Sequence, residues 1–168
     1  MLDISELKKY LSTIIYGNSY LEVLFRNHVS STNDYLKYKY ARDLFPLLVI
    51  ANSQRASRGR SKKKWICLNQ KSLSFSLCLK IDSNIIDLRY LSYLSCVCLK
   101  NSIIDLCEDD ITIKWPNDLY RENKKVSGIL IESLSSNKEM HISIGVGINI
   151  NVPESYSMDQ PYSNLSKN

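Results

Sequence analysis

A run of cations beside one indole is the segment of this chain best suited to hold an anion. It covers residues 57–65, SRGRSKKKW, and contains five Lys or Arg side chains. Arginine presents a planar fork of donors that matches carboxylate and phosphate oxygens, and Trp65 offers a flat apolar face for a ring such as adenine. The pattern predicts a flap over an anionic ligand, although a basic run is more often a solvated surface.

A second polar segment, KWPND at residues 114–118, combines a cation, an aromatic ring, a proline that ends a strand and two short polar side chains. Asp118 could help to bind Mg²⁺, Lys114 could meet phosphate oxygens, and Asn117 could hydrogen-bond a ligand. The alternative is an Asx turn with an exposed lysine. The segment therefore predicts either a polyphosphate site or a simple turn.

A third cation, Lys125, lies just before a strand pattern that contains Gly128. A lysine at such a position can neutralise the negative charge that develops during acyl or phosphoryl transfer, and the glycine permits close approach of a ligand. Taken singly, Lys125 could equally be an ordinary hairpin lysine. Several cationic or glycine-containing segments nevertheless recur at strand ends, which favours a shared site.

The segment 140–150 alternates with a period of two, which is typical of a strand. One predicted face carries only apolar residues: Met140, Ile142, Ile144, Val146, Ile148 and Ile150. The opposite face carries small or polar residues: Ser143, Gly145, Gly147 and Asn149. Because glycine gives a strand nothing except room, the pattern predicts that a ligand or another backbone lies close to this face. A bulge or a barrel bend is the alternative.

The elements that position these residues follow from periodicity, Pro and turn signals. We expect a helix over residues 4–15, a strand over 20–29, a helix from Ser31 to Leu44, strands over 47–51 and 73–79, a helix over 84–106, a strand over 111–115, a turn at 117–118, a hairpin tip at 121–124 and neighbouring antiparallel strands over 126–134 and 140–150. The predicted fold class is α/β (α+β), with a mixed, largely antiparallel sheet flanked by helices.

Composition indicates one globular domain. The chain has 168 residues, of which 44% are hydrophobic and 23% charged, and a net charge of +5, which falls short of a dedicated nucleic-acid binder. Its five cysteines include no CxxC pair, so we expect reduced core thiols rather than a disulfide framework or a zinc site. The N-terminal segment mixes charged with apolar residues, which predicts neither a signal peptide nor a membrane span, and hence a cytoplasmic protein.

Five motifs in order resemble the catalytic domain of biotin protein ligases, also called biotin–[acetyl-CoA-carboxylase] ligases. They are Ser31-Thr32-Asn33, then Gln54 with SRGRSKKKW, then KWPNDL, then KVSGILIE, then IGVGININ. Each motif is weak alone, but the five are specific in combination. The resemblance runs from about Val29 to Asn151, and residues 161–165 resemble the start of the next family segment.

This resemblance implies a biotin/lipoate protein ligase-like fold, related to the catalytic domains of class II aminoacyl-tRNA synthetases. It also implies an activity in which biotin and ATP give biotinyl-adenylate and pyrophosphate with the help of Mg²⁺. The biotinyl group then passes to one lysine of a biotin carboxyl carrier domain, with that of an acetyl-CoA carboxylase as the expected acceptor. A lipoate or octanoate ligase, or a non-catalytic module that binds ligand or carrier, are the alternatives.

Residue roles also follow from the resemblance. The implied biotin-binding residues are Ser31, Thr32, Asn33, Gln54, Arg58, Lys125 and Gly128. The implied ATP-binding residues are Arg60, Lys63, Trp65, Lys114, Asn117, Lys125 and Asn149. Lys125 and Arg60 are the implied catalytic residues, and Asp118 is the implied metal ligand.

The chain departs from the family pattern at Ser57 and Lys62, where the family usually has glycine, and we expect both residues to restrict the flap. A single catalytic domain over residues 1–168 is expected, short at its C-terminal end, with no N-terminal winged-helix domain and no C-terminal β-barrel. We therefore expect no DNA or membrane partner, and the resemblance is compatible with a homodimer.

Overall fold

The computed structural model of the protein describes residues 9–16, 19–40, 46–81, 87–107, 110–136, 139–158 and 160–165. The elements within these ranges are β1 (Ile15–Tyr16), β2 (Ser19–Tyr20), β3 (Glu22–Val29), α1 (Thr32–Tyr40), β4 (Leu47–Gln54), β5 (Ser72–Ile81), α2 (Leu88–Cys107), β6 (Thr112–Lys114), β7 (Asp118–Arg121), β8 (Lys124–Ser136) and β9 (Glu139–Asn149). A short 3₁₀ turn at Arg60–Lys62 lies between β4 and β5.

Seven strands form one sheet in the order β3-β4-β5-β9-β8-β7-β6, and β1 pairs with β2 separately. β3 and β4 are parallel, whereas the other neighbours in the large sheet are antiparallel. The predicted mixed, largely antiparallel sheet with flanking helices is therefore confirmed.

The two faces of the sheet differ in chemistry, as the alternation of β9 predicted. On one face the apolar residues of β9 pack with residues of α2, including Cys96 and Ile103, in the larger core cluster. On the other face α1 packs through Leu36 onto a smaller cluster with Leu47, Val49 and Cys78 of β4 and β5. Beyond that cluster this face becomes polar, and the candidate site lies there.

Part of the predicted N-terminal helix is wrong. Residues 9–11 are helical, but Ile15 and Tyr16 form β1 and pair with Tyr20 and Ser19. β-Branched and aromatic residues favour strands, and here they outweigh the helical spacing. Residues 1–8 lie outside the described ranges.

The prediction around KWPND missed a strand. The turn covers residues 115–117, and Asp118 begins β7, which pairs with both β6 and β8. Pro116 ends β6 as expected, because proline cannot donate to a ladder. The next hairpin turns at Glu122 and Asn123, which have φ values of 51° and 60°, within the predicted tip.

The predicted helix start at Ser31 and helix end at Leu106 lie within one residue of the observed bounds of α1 and α2, whereas the predicted end at Leu44 and start at Asn84 lie outside the described residues. Cys67, Cys78, Cys96 and Cys98 are free thiols. Burial raises the pKa of Cys78 to about 12 and that of Cys96 to about 11, so both are unreactive core thiols. The exposed Cys98 is not a core thiol.

In the described part of the chain, no helix has the length and apolarity needed to cross a membrane.

Candidate active site

A cleft of about 530 Å³ opens on the polar face of the sheet. Its walls come from the N-terminus of α1, the end of β4, the flap, the starts of β7 and β8, and the end of β9. All the predicted site residues except Lys114 line it: Ser31, Thr32, Asn33, Gln54, Arg58, Arg60, Lys63, Trp65, Asn117, Asp118, Lys125, Gly128 and Asn149.

One end of the cleft is built where the parallel strands β3 and β4 finish. Ser31 precedes α1, and its hydroxyl accepts a 3.5 Å hydrogen bond from the Asp34 amide. Gln54 Oε1 accepts hydrogen bonds from the amide (2.8 Å) and hydroxyl (3.2 Å) of Thr32. Parallel strands end at the same edge, so Gln54 meets the first turn of α1 and accepts a hydrogen bond from one of its terminal amides.

Asn33 joins this end to the centre of the sheet. Its Oδ1 accepts hydrogen bonds from the hydroxyls of Ser76 (2.6 Å) and Ser143 (2.8 Å). A Cβ atom at Gly145 would lie 2.5 Å from the same oxygen. The space above Gly145 is therefore filled by a side chain rather than by the ligand or backbone that the sequence pattern predicted.

Arg58, at the start of the flap, is held by two carboxylates. Its Nη1 and Nη2 donate to Asp34 at 2.7 and 2.8 Å, and Nη2 also lies 3.0 Å from Glu132 Oε1. Glu132 in turn accepts a 2.7 Å hydrogen bond from Asn33 Nδ2. A bidentate guanidinium–carboxylate pair fixes the direction of the arginine as well as its charge.

Asp34 and Glu132 were not among the predicted site residues, although the sequence contains one signal for Glu132. Gly128 and Glu132 are four residues apart on β8 and so lie on the same face of the sheet, the face that borders the cleft. The hydrogen bonds from Arg58 lower the pKa of Asp34 below its ordinary value of 3.8. For Glu132, burial alone would raise the pKa, but hydrogen bonds from Asn33 and Arg58 outweigh burial and lower it below 4.5.

The ion pairs of Arg58 with Asp34 and Glu132 should make the free energy of unfolding depend on pH. Both carboxyl pKa values are lower in the folded state than in the unfolded state. The stability that these pairs contribute is therefore present above about pH 4.5 and is lost as the pH falls below it. We expect Asp34→Asn to lower the melting temperature by about 2–4 °C at pH 7, equivalent to about 1 kcal/mol for a half-exposed pair. Circular dichroism melts from pH 7 to pH 3 should show this difference shrinking at low pH. Asp105→Asn, at an exposed site on α2, is the control, and a pH-independent difference would contradict the contribution of these ion pairs.

The flap is a closed hairpin rather than an open loop. Gly59 N donates to Lys63 O at 2.7 Å, and Trp65 N donates to Ser57 O at 3.2 Å. The Ser57 hydroxyl adds a 2.8 Å bond to Trp65 O, so this residue closes the base of the flap. Of the described flap residues, Ser61 has a positive φ of 54°, a conformation that favours glycine. The restriction expected at Ser57 therefore acts through a hydrogen bond.

Trp65 places its indole on the glycine face of β9. A Cβ atom at Gly147 would lie 2.4–2.6 Å from three ring atoms, so glycine is required for this contact. The Lys125 ammonium lies 5.6 Å from the ring centroid, within the range of a cation–π contact. The indole Nε1 is buried and has no hydrogen-bond partner in the structure. Such an orphaned donor costs about 1–3 kcal/mol and is a natural contact for a bound ligand.

A β-bulge turns Lys125 into the cleft. Leu119 pairs with Ser127 and Tyr120 pairs with Lys125, which leaves Val126 as the extra residue of β8. Val126 is buried in the core, and its bulge allows Lys125 to share the cleft face with Gly128. A Cβ atom at Gly128 would lie 3.0 Å from Lys125 Nζ, so the glycine leaves room for the ammonium.

Lys125 and Asp118 form an ion pair in the wall of the cleft. The ammonium lies 2.7 Å from Asp118 Oδ1, and both side chains are mostly buried, with 14% and 18% exposed. Beyond this ionic contact, Asp118 Oδ1 accepts no hydrogen bond from another described residue. The pair leaves a buried cation that can turn toward a stronger anion.

Two asparagines complete this end of the cleft. Asn117 is fixed on β8, because its Nδ2 donates to Ile129 O at 2.8 Å and its carbonyl accepts from the Ile129 amide at 2.8 Å. Asn149 ends β9, and its Nδ2 donates to Lys125 O at 3.3 Å. Asn149 Oδ1 is buried without a partner, like the indole N–H of Trp65. The cleft therefore holds both an orphaned acceptor and an orphaned donor.

Lys114 is placed differently from the other predicted residues. Its ammonium lies 4.7 Å from the centroid of the Tyr120 ring and 3.3 Å from the Tyr120 hydroxyl, on the exposed β6–β7 hairpin. Its assignment to ATP stays a prediction. Within the described ranges, no three His, Cys, Asp or Glu side chains group as metal ligands.

The fold and this cleft define an α+β protein with a cation-lined cleft under a basic flap. The chain belongs to the biotin/lipoate A/B protein ligase family, whose model matches residues 25–149. This match confirms the resemblance that the five motifs indicated.

Individual relatives and structures agree with the family match. Biotin–protein ligase 1, chloroplastic, of Arabidopsis thaliana is 28% identical over 151 residues, covering 86% of this chain and 40% of that protein. Biotin–[acetyl-CoA-carboxylase] ligase of Paracoccus denitrificans is 30% identical over 105 residues, covering 61% and 43%. The chain thus spans less than half of each. The structure of biotin protein ligase from Aquifex aeolicus in complex with biotin and ATP superposes with a TM-score of 0.70 at 28% identity, over 85% of this chain and 59% of that one.

Proposed function

We propose that this protein is the catalytic domain of an ATP-dependent biotin–protein ligase. In the first step a carboxylate oxygen of biotin attacks the α-phosphorus of ATP, the bond to the β-phosphate breaks, and pyrophosphate leaves. In the second step a lysine amine of a carrier attacks the acyl carbon of biotinyl-adenylate, AMP leaves, and the amine loses a proton. The relatives' names and the Aquifex aeolicus complex with biotin and ATP support this chemistry.

The observation that carries the proposal is the mostly buried Lys125 ammonium, in a cleft that also holds the orphaned Trp65 Nε1 and Asn149 Oδ1. The reacting carboxylate and α-phosphate both carry negative charge, so a fixed cation between them stabilises their approach and the transition state. No nucleophilic side chain is needed, because adenylation itself provides the leaving group. Positioning and charge stabilisation are sufficient.

The two ends of the cleft suit different parts of the adenylate. The hydrogen-bonding groups at the start of α1 suit the polar ring of biotin, with the clamped Arg58 beside them. This biotin end comprises Ser31, Thr32, Asn33, Gln54, Arg58 and Gly128. The indole and amide groups at the other end suit the nucleotide. This nucleotide end comprises Arg60, Lys63, Trp65, Asn117 and Asn149.

Mg²⁺ is expected to accompany ATP, and Asp118 is the residue that would hold it. The Oδ1 atom of Asp118 is buried and already faces the Lys125 ammonium at 2.7 Å, which fits a carboxylate that takes a cation. Mg²⁺ commonly binds through one or two carboxylates together with substrate phosphates, so a single aspartate fits that donor set. When bound, the ion would neutralise charge on the phosphates, while Lys125 stays directed at the reacting carboxylate.

The expected acceptor is a biotin carboxyl carrier domain, because the Paracoccus denitrificans relative is named for acetyl-CoA carboxylase. A cytoplasmic location and a homodimer remain parts of the proposal. Titration calorimetry with biotin, lipoate and ATP, followed by a pyrophosphate-release assay, tests the function. Biotin-dependent pyrophosphate release supports it, lipoate-dependent release would favour a lipoate ligase, and binding without release would favour a non-catalytic module.

Arg60 offers a test of the flap. It is exposed at the edge of the cleft, and among the described residues no carboxylate pairs with it. Arg60→Gly removes one charge-assisted contact to the adenylate, worth about 1.5–3 kcal/mol, so we expect roughly tenfold faster escape of biotinyl-adenylate. Adenylate formation should fall less than retention.

The measurement is biotin transfer to serum albumin, which escaped adenylate acylates at exposed lysines. Arg55→Gly, an exposed arginine just outside the cleft, is the matched control. If Arg60→Gly forms adenylate but labels no more albumin than the unchanged protein, the flap does not retain the intermediate and Arg60 is a solvated surface cation.

A further inference from the structure

We propose that residues 161–165 act as a positioning strand for Lys125 and Asn149, with Asn164 as its anchor. This inference rests on the proposed function, since it assigns a role in adenylation to a segment outside the cleft's catalytic groups. Its basis is a continuous set of hydrogen bonds between this segment and the ends of β8 and β9.

The segment takes a place in the sheet that β9 leaves open. Pairing between β8 and β9 ends at Ser127 and Ile148, because the chain turns after Asn149 and the Ile150 amide donates to Lys71 O. At Lys125 the neighbour is therefore the later segment, which runs parallel to β8 with Tyr162 opposite Lys125.

Both main-chain groups of Lys125 bond to this segment. Lys125 N donates to Pro161 O at 3.1 Å, and Lys125 O accepts from the Ser163 amide at 2.9 Å. Main-chain bonds on both sides fix the direction in which the side chain leaves the strand, and the bulge at Val126 makes that direction point into the cleft. The reach of the ammonium thus depends on residues 161–163.

The same segment fixes Asn149. Leu165 N donates to Asn149 O at 3.0 Å, while Asn149 Nδ2 donates to Lys125 O at 3.3 Å. A cation at the reacting groups and an amide at the nucleotide end are thereby tied to one strand. A shift of the segment would move both together.

Asn164 anchors the segment through its amide side chain. Its Oδ1 accepts from Val152 N at 2.8 Å, and its Nδ2 donates to Val152 O at 2.9 Å. Its own carbonyl accepts from Arg121 Nη1 at 2.8 Å. Val152 is only 1% exposed, so water cannot easily replace the two amide bonds. Asn164 touches no cleft group itself and acts through Lys125.

The test is Asn164→Ala in the full chain, with two readouts. Hydrogen exchange should speed up at the amides of Lys125, Ser163 and Leu165, whether or not the protein turns over. In the pyrophosphate assay kcat should fall by roughly ten- to a hundredfold, because a displacement on the order of 1 Å can cost about a hundredfold, while KM for biotin stays within about twofold. A purely structural role would not separate kcat from KM.

Asn164→Asp keeps the acceptor for Val152 N, so its kcat should lie between those of Asn164→Ala and the unchanged protein. If Asn164→Ala does not unfold cooperatively, Asn164→Asp takes its place in the test. Asn52→Ala, which breaks an exposed bond to Asn27 outside the cleft, is the matched control. Unchanged exchange at Lys125, or faster exchange with unchanged kcat, overturns the inference. If the unchanged protein releases no pyrophosphate, the proposed function fails, and exchange at Lys125 still decides whether Asn164 positions it.

Discussion

Lys125→Ala is expected to lower the rate of pyrophosphate release by about a hundredfold or more. The lysine is a mostly buried cation of the cleft, with 14% of its side chain exposed, whereas the flap cation Lys63 is exposed. Removing one preorganised group that stabilises transition-state charge costs about 2.7–4 kcal/mol, or roughly 10²–10³ in rate. Biotin affinity should fall less than the rate, because the charge on the reacting groups is greatest in the transition state.

The substitution also removes the partner of Asp118, and an uncompensated carboxylate in this position would cost about 1–3 kcal/mol of stability. Thermal melts of Lys125→Ala and the unchanged protein separate this cost from the loss of rate, because they measure stability without turnover. Lys124→Ala changes an exposed neighbour and is the control. A Lys125→Ala protein that releases pyrophosphate at the normal rate would show that the assigned role is wrong.

The sequence predicted best what a strand's period of two reveals directly. The alternation of β9 assigned Ile142, Ile144 and Val146 to one face, and in the structure these residues share the larger core cluster. The same alternation assigned Gly145 and Gly147 to the open face of the sheet, where the cleft lies. Patterns of this kind depend on local geometry alone, so one sequence is enough.

The site features that the sequence could not predict depend on pairing between strands and on contacts between residues far apart in the chain. Lys125 reaches the cleft because Val126 bulges, and the bulge depends on pairing with β7, a strand hidden within a turn-like segment. Glu132 holds Arg58 across 74 residues of chain, a contact that no local pattern encodes. Such contacts are found only when the register between strands is known.

Trp65 and the glycine face of β9 were each predicted from local sequence, but the contact between them was not. The sequence predicted a flat ring and a cleared strand face as separate features, each awaiting a ligand. In the structure the Trp65 indole lies on Gly147 itself, with its Nε1 buried and unpartnered. Flap and sheet are therefore coupled at one contact, and a side chain added at Gly147 must disturb both.

Gly147→Val is accordingly expected to weaken biotin and ATP binding by at least about a hundredfold, or about 2.8 kcal/mol, with little change in secondary structure. Valine suits a strand, but its Cβ would lie 2.4 Å from the Trp65 ring. The indole must therefore move away, and the flap loses its contact with the sheet. Calorimetry measures the affinity and far-ultraviolet circular dichroism the strand content. Trp65 fluorescence, recorded in a Trp115→Phe background, should shift to the red as the ring becomes solvated.

Ser133→Val places the same residue at an exposed position of β8 and controls for the effect of valine in the sheet. Because Gly147 pairs with Gly128 across the strands, the new side chain would also crowd the room that Gly128 leaves for Lys125. Loss of affinity together with the red shift would mean that the indole contact organises the cleft. Normal biotin affinity with a displaced indole would instead mean that the glycine face does not line the ligand site, and that the room at Gly147 serves only the packing of the flap.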